Sequence, residues 1–133
     1  MTQAIVSGSS QRRVALGIIN AYLELHPETS LDELQKAFPN NLNPDCGSKQ
    51  IFMTKRDIME HVSNGEDWYE TGRGYFVGDD EWLHLYNGEC VGFVGMWSDQ
   101  SFNRLVKHAE QYGIIIKSSI GGIGSYNIEY ISY

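Results

Sequence analysis

Residues 81 to 118 constrain the fold most, because they read in immediate succession as strand, tight turn, strand, helix and strand. Trp82-Leu83-His84-Leu85-Tyr86 runs into Asn87-Gly88. Asn-Gly between apolar runs is the strongest short-range hairpin signal, since the favoured two-residue turn needs φ > 0 at both of its residues. The return strand is expected over Cys90 to Trp97. Ser98 is placed to cap a helix over 99–112, where Phe102, Leu105, Val106, Ala109 and Tyr112 recur at helical spacing. Gly113 suits a left-handed helix end, and Ile114-Ile115-Ile116 follows at once as a buried strand.

The rest of the chain has to fit around that unit. With 133 residues, 41% of them hydrophobic, it suffices for a single domain over 1–133 with a core that needs no metal or disulfide staples. Cys46 and Cys90 have neither metal-ligand spacing nor the density of a secreted disulfide scaffold, which points to a reduced, cytoplasmic protein. The N-terminus lacks the pattern of a signal peptide, and no apolar run approaches the ~20 residues of a membrane span.

Residues 11–64 read as a helical part. Met1 to Ser10 is small and polar and is expected to be a loose terminus. Val14, Ala15, Ile18, Ile19, Tyr22 and Leu25 form a broad helical stripe that His26-Pro27 closes. Ser30 and Glu33 make a capping box for a short helix reaching Ala37. A long amphipathic helix, a brief break and a short capped helix is how helix-turn-helix and winged-helix units open. No polar recognition helix follows, because Pro39 to Gly47 is dense in turn formers. Thr54 then caps a third helix, with Asp57 at its third position and Ile58, Met59 and Val62 on its apolar face. Arg12-Arg13 and Lys55-Arg56 both occupy first turns, where cations oppose the helix dipole by about 0.3–1 kcal/mol each. That placement suits an anion or an acidic partner, and equally suits ordinary exposed charges.

Residues 66–133 read as β-rich. Glu66 to Gly74 is a loop or irregular strand, Tyr75-Phe76-Val77 a short strand, Gly78-Asp79-Asp80 a turn, and Ile120 to Gly124 a second turn. Ser125 to Tyr133 alternates Tyr126, Ile128 and Tyr130 against Asn127 and Glu129, as a half-buried final strand does. The expected architecture is α+β: an N-terminal helical part, then an antiparallel sheet of four or five strands with one packed helix.

The net charge of −7 is unevenly spread. Residues 66–89 hold seven acids against Arg73 alone, whereas 1–65 and 90–133 are close to balance. Such a face repels nucleic acid and attracts basic partners, and it also serves as a solvated edge that discourages aggregation. Asp79, Asp80, Glu81 and His84 form the densest group of potential metal ligands, but along a strand Glu81 and His84 point to opposite faces. Cys90 with His61, His84 or His108 offers a thiol–imidazole pair without a surrounding nucleophile motif. The glycine clusters match no phosphate-binding spacing. Trp68, Tyr69, Trp82 and Trp97 would suit base stacking only beside a basic groove, and their setting is acidic.

The stretch Met96-Trp97-Ser98-Asp99-Gln100-Ser101-Phe102, continued by Leu105-Val106, Ala109 and Gly113-Ile114, resembles a motif of small uncharacterised bacterial and prophage proteins. There a strand ends in Gln-Trp-Gly, an Asn follows three residues after the Gly, and an amphipathic helix ends in Leu-Gly-Tyr. The helix, His-Pro, capped short helix and Ala-Phe-Pro that precede are similar too, so the resemblance covers most of 10–118. This chain has Met96 for the Gln, Ser98 for the Gly and Ser101 for the Asn. The resemblance implies a fold and a mobile-element or host-defence setting, and no reaction.

Three functions follow as expectations. The first is a non-enzymatic regulatory or adaptor protein that binds a macromolecule through Arg12, Arg13, Lys49, Lys55 and Arg56. The second is an acidic inhibitor-like protein that offers 66–89, with Trp68, Tyr69, Asp79, Asp80 and Glu81, to a basic partner surface. The third is a small enzyme using Cys90 and His84. Another protein is the expected partner, since net charge disfavours nucleic acid; no cofactor, metal or membrane is called for.

Overall fold

The computed structural model describes residues 2–71, 74–117 and 125–132. Its elements are strand β1 (Thr2–Gly8), helices α1 (Gln11–Leu25) and α2 (Leu31–Ala37), strand β2 (Phe52–Thr54) and helix α3 (Lys55–Ser63). Strands β3 (Leu83–His84) and β4 (Cys90–Phe93), helix α4 (Asp99–Ala109), and strands β5 (Ile114–Ile116) and β6 (Tyr126–Ser132) complete them. The class is α+β, with the expected N-terminal helices and a helix packed against sheet.

Each helix starts where a short polar side chain satisfies a free amide of its first turn. The Ser10, Thr54 and Ser98 hydroxyls accept from the N–H of Arg13, Asp57 and Ser101, and Ser30 with Glu33 closes the capping box in both directions. After α4 one tighter turn runs to Tyr112, and Gly113 at φ +75° ends it.

The sheet is not the single antiparallel layer that alternation suggests. The strand orders are β5-β1-β6 and β2-β4-β3, two sheets of three strands. Residues 2–8, expected to be a loose terminus, form the middle strand of the first: Ala4 and Val6 are fully buried, β5 pairs with β1 in parallel, and β6 pairs antiparallel along its whole length. Helix α1 packs across this sheet, and its close approach depends on Gly17, where a Cβ would lie 2.7 Å from Val6 Cγ1 and 3.0 Å from the Tyr126 ring. Burying Leu16, Ile18 and Ile19 here contributes about 1.5–3 kcal/mol apiece.

The second sheet carries the expected hairpin with a different turn. Gly88 N–H donates to Leu85 C=O at 3.0 Å, Leu85 N–H to Glu89 C=O at 2.9 Å, and Gly88 alone of the loop residues has positive φ, at +91°. It is therefore a three-residue loop closed by a glycine bulge, not a two-residue turn. The expected strand at Tyr75–Val77 is reduced to a bridge between Tyr75 and Val94, with Phe76 N–H bonded to Phe93 C=O at 2.9 Å. Residues 67–70 form a short helical turn. Helix α2 leads not into another helix but into a turn at Asn40–Leu42 and then β2. Phe93 stacks with Phe76 and Trp97 and meets Phe52 at a tilt, and Tyr22, Phe38 and Tyr112 form a second aromatic cluster. The turn expected at 120–124, like Arg73, lies outside the described residues. Among those described, no helix is long and apolar enough to cross a membrane.

Candidate partner-binding surface

The basic residues at the start of α1 turn onto the protein itself. The Arg12 guanidinium sits 4.3 Å over the Phe76 ring, and its Nε donates to Gly95 C=O at 3.1 Å. Burial, then neighbouring Arg13, lowers the Arg12 pKa from its ordinary value, and Glu81 partly offsets them. Arg13 lies 5.2 Å from the same ring, pairs with Glu81 Oε2, and donates to Ser125 Oγ at 3.4 Å. The other Glu81 oxygen accepts from Gly78 N–H at 2.8 Å. The unfavourable charge of this first turn thus meets an internal carboxylate. Lys55 lies 5.2 Å from the Trp82 ring, a cation–π distance. Lys49, at φ +63°, donates from Nζ to Pro44 C=O at 2.9 Å. Arg56 is exposed in the first turn of α3, without an ion pair among the described residues. Of the five cations, two are bound inward and one lies along a tryptophan, so they do not form an open basic row.

The acidic stretch divides differently. Glu81 is structural, as described, and Glu66 lies 3.0 Å from His61 Nδ1. Asp67, Glu70, Asp79 and Asp80 are exposed, with no ion pair among the described residues. Tyr69, named among the candidate partner-binding residues, is 7% exposed: its ring stacks on His61 at 4.1 Å and lies 6.1 Å from Tyr75. Burial raises its phenol pKa. Trp68, the other aromatic of that turn, is half-buried and borders an open recess of about 520 Å³ with Asp45, Gly47 and Met96. Met96 is 43% exposed. Its exposure was not legible, because it sits at the end of a run that reads as strand. The chain leaves the sheet just before it: Val94 and Gly95 give their N–H groups to Ile51 and Gly74 C=O at 2.9 and 2.7 Å, and Asn43 takes up Met96 C=O at 2.8 Å.

The hairpin brings His84 and Cys90 opposite one another across β3 and β4. No hydrogen bond joins them among the described residues. Beside Cys90 an open recess of about 460 Å³ is lined by Thr54, Lys55, Arg56, Asp57 and Glu89, a set of mixed charge. No group of three or more His, Cys, Asp and Glu among the described residues is placed to hold a metal ion. Asp67, Glu70, Asp79 and Asp80 among the acids and Arg56 among the bases are thus exposed without an ion pair among the described residues, with half-buried Trp68 beside its recess. No family model, curated protein or solved structure matches this chain.

Proposed function

We propose that this chain is a non-enzymatic binding protein whose acidic stretch 66–89 meets a basic surface of a partner protein. One observation carries this reading. Arg12 and Arg13 are taken up by Phe76, Gly95 and Glu81, while Asp67, Glu70, Asp79 and Asp80 remain exposed and without ion pairs among the described residues. Exposed carboxylates without counter-charges attract oppositely charged partners over roughly a Debye length, about 8–10 Å at physiological salt. Trp68 beside its recess adds the kind of aromatic anchor that dominates interface energetics. The resemblance to bacterial and prophage proteins suggests a mobile-element or host-defence setting for such a role.

Fluorescence anisotropy against a lysine-rich peptide and against random-sequence duplex DNA, each across a salt series, tests the reading. Peptide binding that weakens with salt and is lost in a D67N/E70Q/D79N/D80N variant is the expected result. DNA binding with a steep salt slope, removed by R12Q/R13Q/K55Q/R56Q, would overturn it in favour of phosphate contacts by the helix starts. Activity in cells that vanishes in a folded C90A/H84A variant would do so in favour of an enzyme.

A further inference from the structure

Among the described residues, strand β6 leaves one side of its backbone without a partner. The other strands at sheet edges, β2, β3 and β5, span three, two and three residues, whereas β6 spans seven. Its register with β1 shows which groups are free. Ser9 N–H donates to Ser125 C=O at 3.2 Å. In an antiparallel ladder bonded pairs alternate with unbonded ones. Asn127, Glu129 and Ile131 therefore direct their backbone toward Ser7, Ile5 and Gln3. The other face of β1 agrees: Ala4 N–H donates to Gly113 C=O at 2.9 Å and Val6 C=O accepts from Lys117 at 3.0 Å, so both residues are committed to the β5 side. Their partners across β6, Tyr130 and Ile128, turn N–H and C=O outward, and no described residue meets them.

Natural sheets protect such edges with short strands, prolines, bulges or charges. Strand β6 has no proline, and its single charge, Glu129, lies on the face away from α1, 3.5 Å from Lys117. Tyr130 and Ile131, 41% and 44% exposed, are two of the four large apolar side chains left open among the described residues.

The α1 side of this edge carries more acids than bases, whereas on the other side Lys117 offsets Glu129. On the α1 side the Glu24 carboxylate faces the Tyr130 phenol, and Glu24 and Asp80 both act on the Tyr126 phenol. Arg13, bonded to both Glu81 and Ser125, ties the acidic turn at 78–81 to the start of β6. Glu24 also borders a recess of about 480 Å³ with Asn20, His84 and Tyr86.

We infer that β6 pairs with an extended, lysine- or arginine-bearing segment of a partner protein, added as a fourth strand beside Ile128 and Tyr130. This rests on the reading that the partner is basic. Main-chain bonds hold the segment, and alternate side chains select it. Residues opposite Tyr130 and Ile128 project on the α1 side, where Glu24 and Asp80 select cations. A second copy of the chain is a poorer occupant, because it would set the same carboxylates against each other at a net charge of −7 per chain.

The probe is a capped ten-residue peptide alternating lysine and valine, with a glutamate–valine peptide as its counterpart. NMR hydrogen exchange and anisotropy are the readouts. The expected result is added protection at the Ile128 and Tyr130 amides, none beyond the existing ladder at Asn127 and Glu129, and no binding of the glutamate peptide. Tyr130→Pro removes an outward N–H without breaking the ladder to β1 and should weaken binding about tenfold, whereas Tyr130→Phe should not. Should Tyr130→Pro misfold, the protection pattern of the unmodified protein decides. Binding without added protection at Ile128 and Tyr130, but sensitive to D79N/D80N, would overturn the strand and leave the acidic surface standing. Protection that persists undiminished in E24Q/D79N/D80N would overturn the acidic reading and leave the strand. Absence of binding at low salt, or protection that rises with protein concentration alone, would overturn the inference.

Discussion

Glu81 is the acid whose removal should cost stability, although three neighbouring positions in the sequence read alike. Its two carboxylate oxygens are separately used, one by Gly78 N–H and one by Arg13. The Arg13 and Glu81 side chains are 31% and 17% exposed. Fully exposed pairs are worth about 0.2–1 kcal/mol, while breaking buried ones costs about 3–5 kcal/mol. Glu81→Gln keeps an acceptor for Gly78 but turns an amide toward Arg13, so a loss of about 2 kcal/mol is expected at neutral pH. With a urea slope of about 1–3 kcal/mol/M, the unfolding midpoint should fall by roughly 1 M. Asp79→Asn and Asp80→Asn should each stay within about 0.5 kcal/mol, as surface substitutions do. A double-mutant cycle with Arg13→Met, which keeps the apolar stem over Phe76, should return a coupling of about 1–2 kcal/mol. A coupling below about 0.3 kcal/mol, or equal losses at positions 79, 80 and 81, would refute the separation of structural from surface acid.

Other expectations follow from single contacts. Gly17→Ala gains up to ~1 kcal/mol of helix propensity but drives a methyl into Val6 and Tyr126; overpacking of about 1–3 kcal/mol wins, and thermal unfolding should move down. Ser101 Oγ is buried without a partner among the described residues, so Ser101→Ala should be neutral or stabilising by up to about 1–2 kcal/mol; a loss above 1 kcal/mol would show that the hydroxyl is bonded. Burial raises the Tyr75 phenol well above its ordinary pKa, and the hydroxyl donates to Gln50 C=O at 2.6 Å. Because the folded state disfavours ionisation, this stability is complete below the unfolded value near ~10 and is lost as pH climbs beyond it. Tyr75→Phe should flatten that alkaline loss in a chemical-denaturation series.

The helices were legible because their caps and stripes are local: Ser30 with Glu33, Thr54 with Asp57, Ser98 before Phe102 and Gly113 state their chemistry within a few residues. The hairpin was legible too, though not its turn, since nothing in Asn87-Gly88 alone reveals that only Gly88 takes positive φ. Strand β1 was not. Thr2 to Gly8 has weak strand propensity, and it becomes a central strand because β5 and β6, more than a hundred residues away, supply its bonds on both sides. For the candidate surface, charge counting located the acids but could not sort Glu81 from Asp79 and Asp80. Nor did spacing show that Tyr69 packs inward under His61 while Trp68 is left half-buried beside a recess.

The placement of β1 also orders events in time. During synthesis this strand leaves the ribosome well before its two neighbours, residues 114–116 and 126–132, which follow more than a hundred residues later. The caps and the β2-β4-β3 sheet close over much shorter distances, so they can settle while β1 still waits. Loops of this span slow the search for native pairing. The first sheet, and with it the seat of α1, should therefore be the late and rate-limiting step of folding, the interval in which Ala4, Val6 and the apolar stripe of α1 are most open to misassociation.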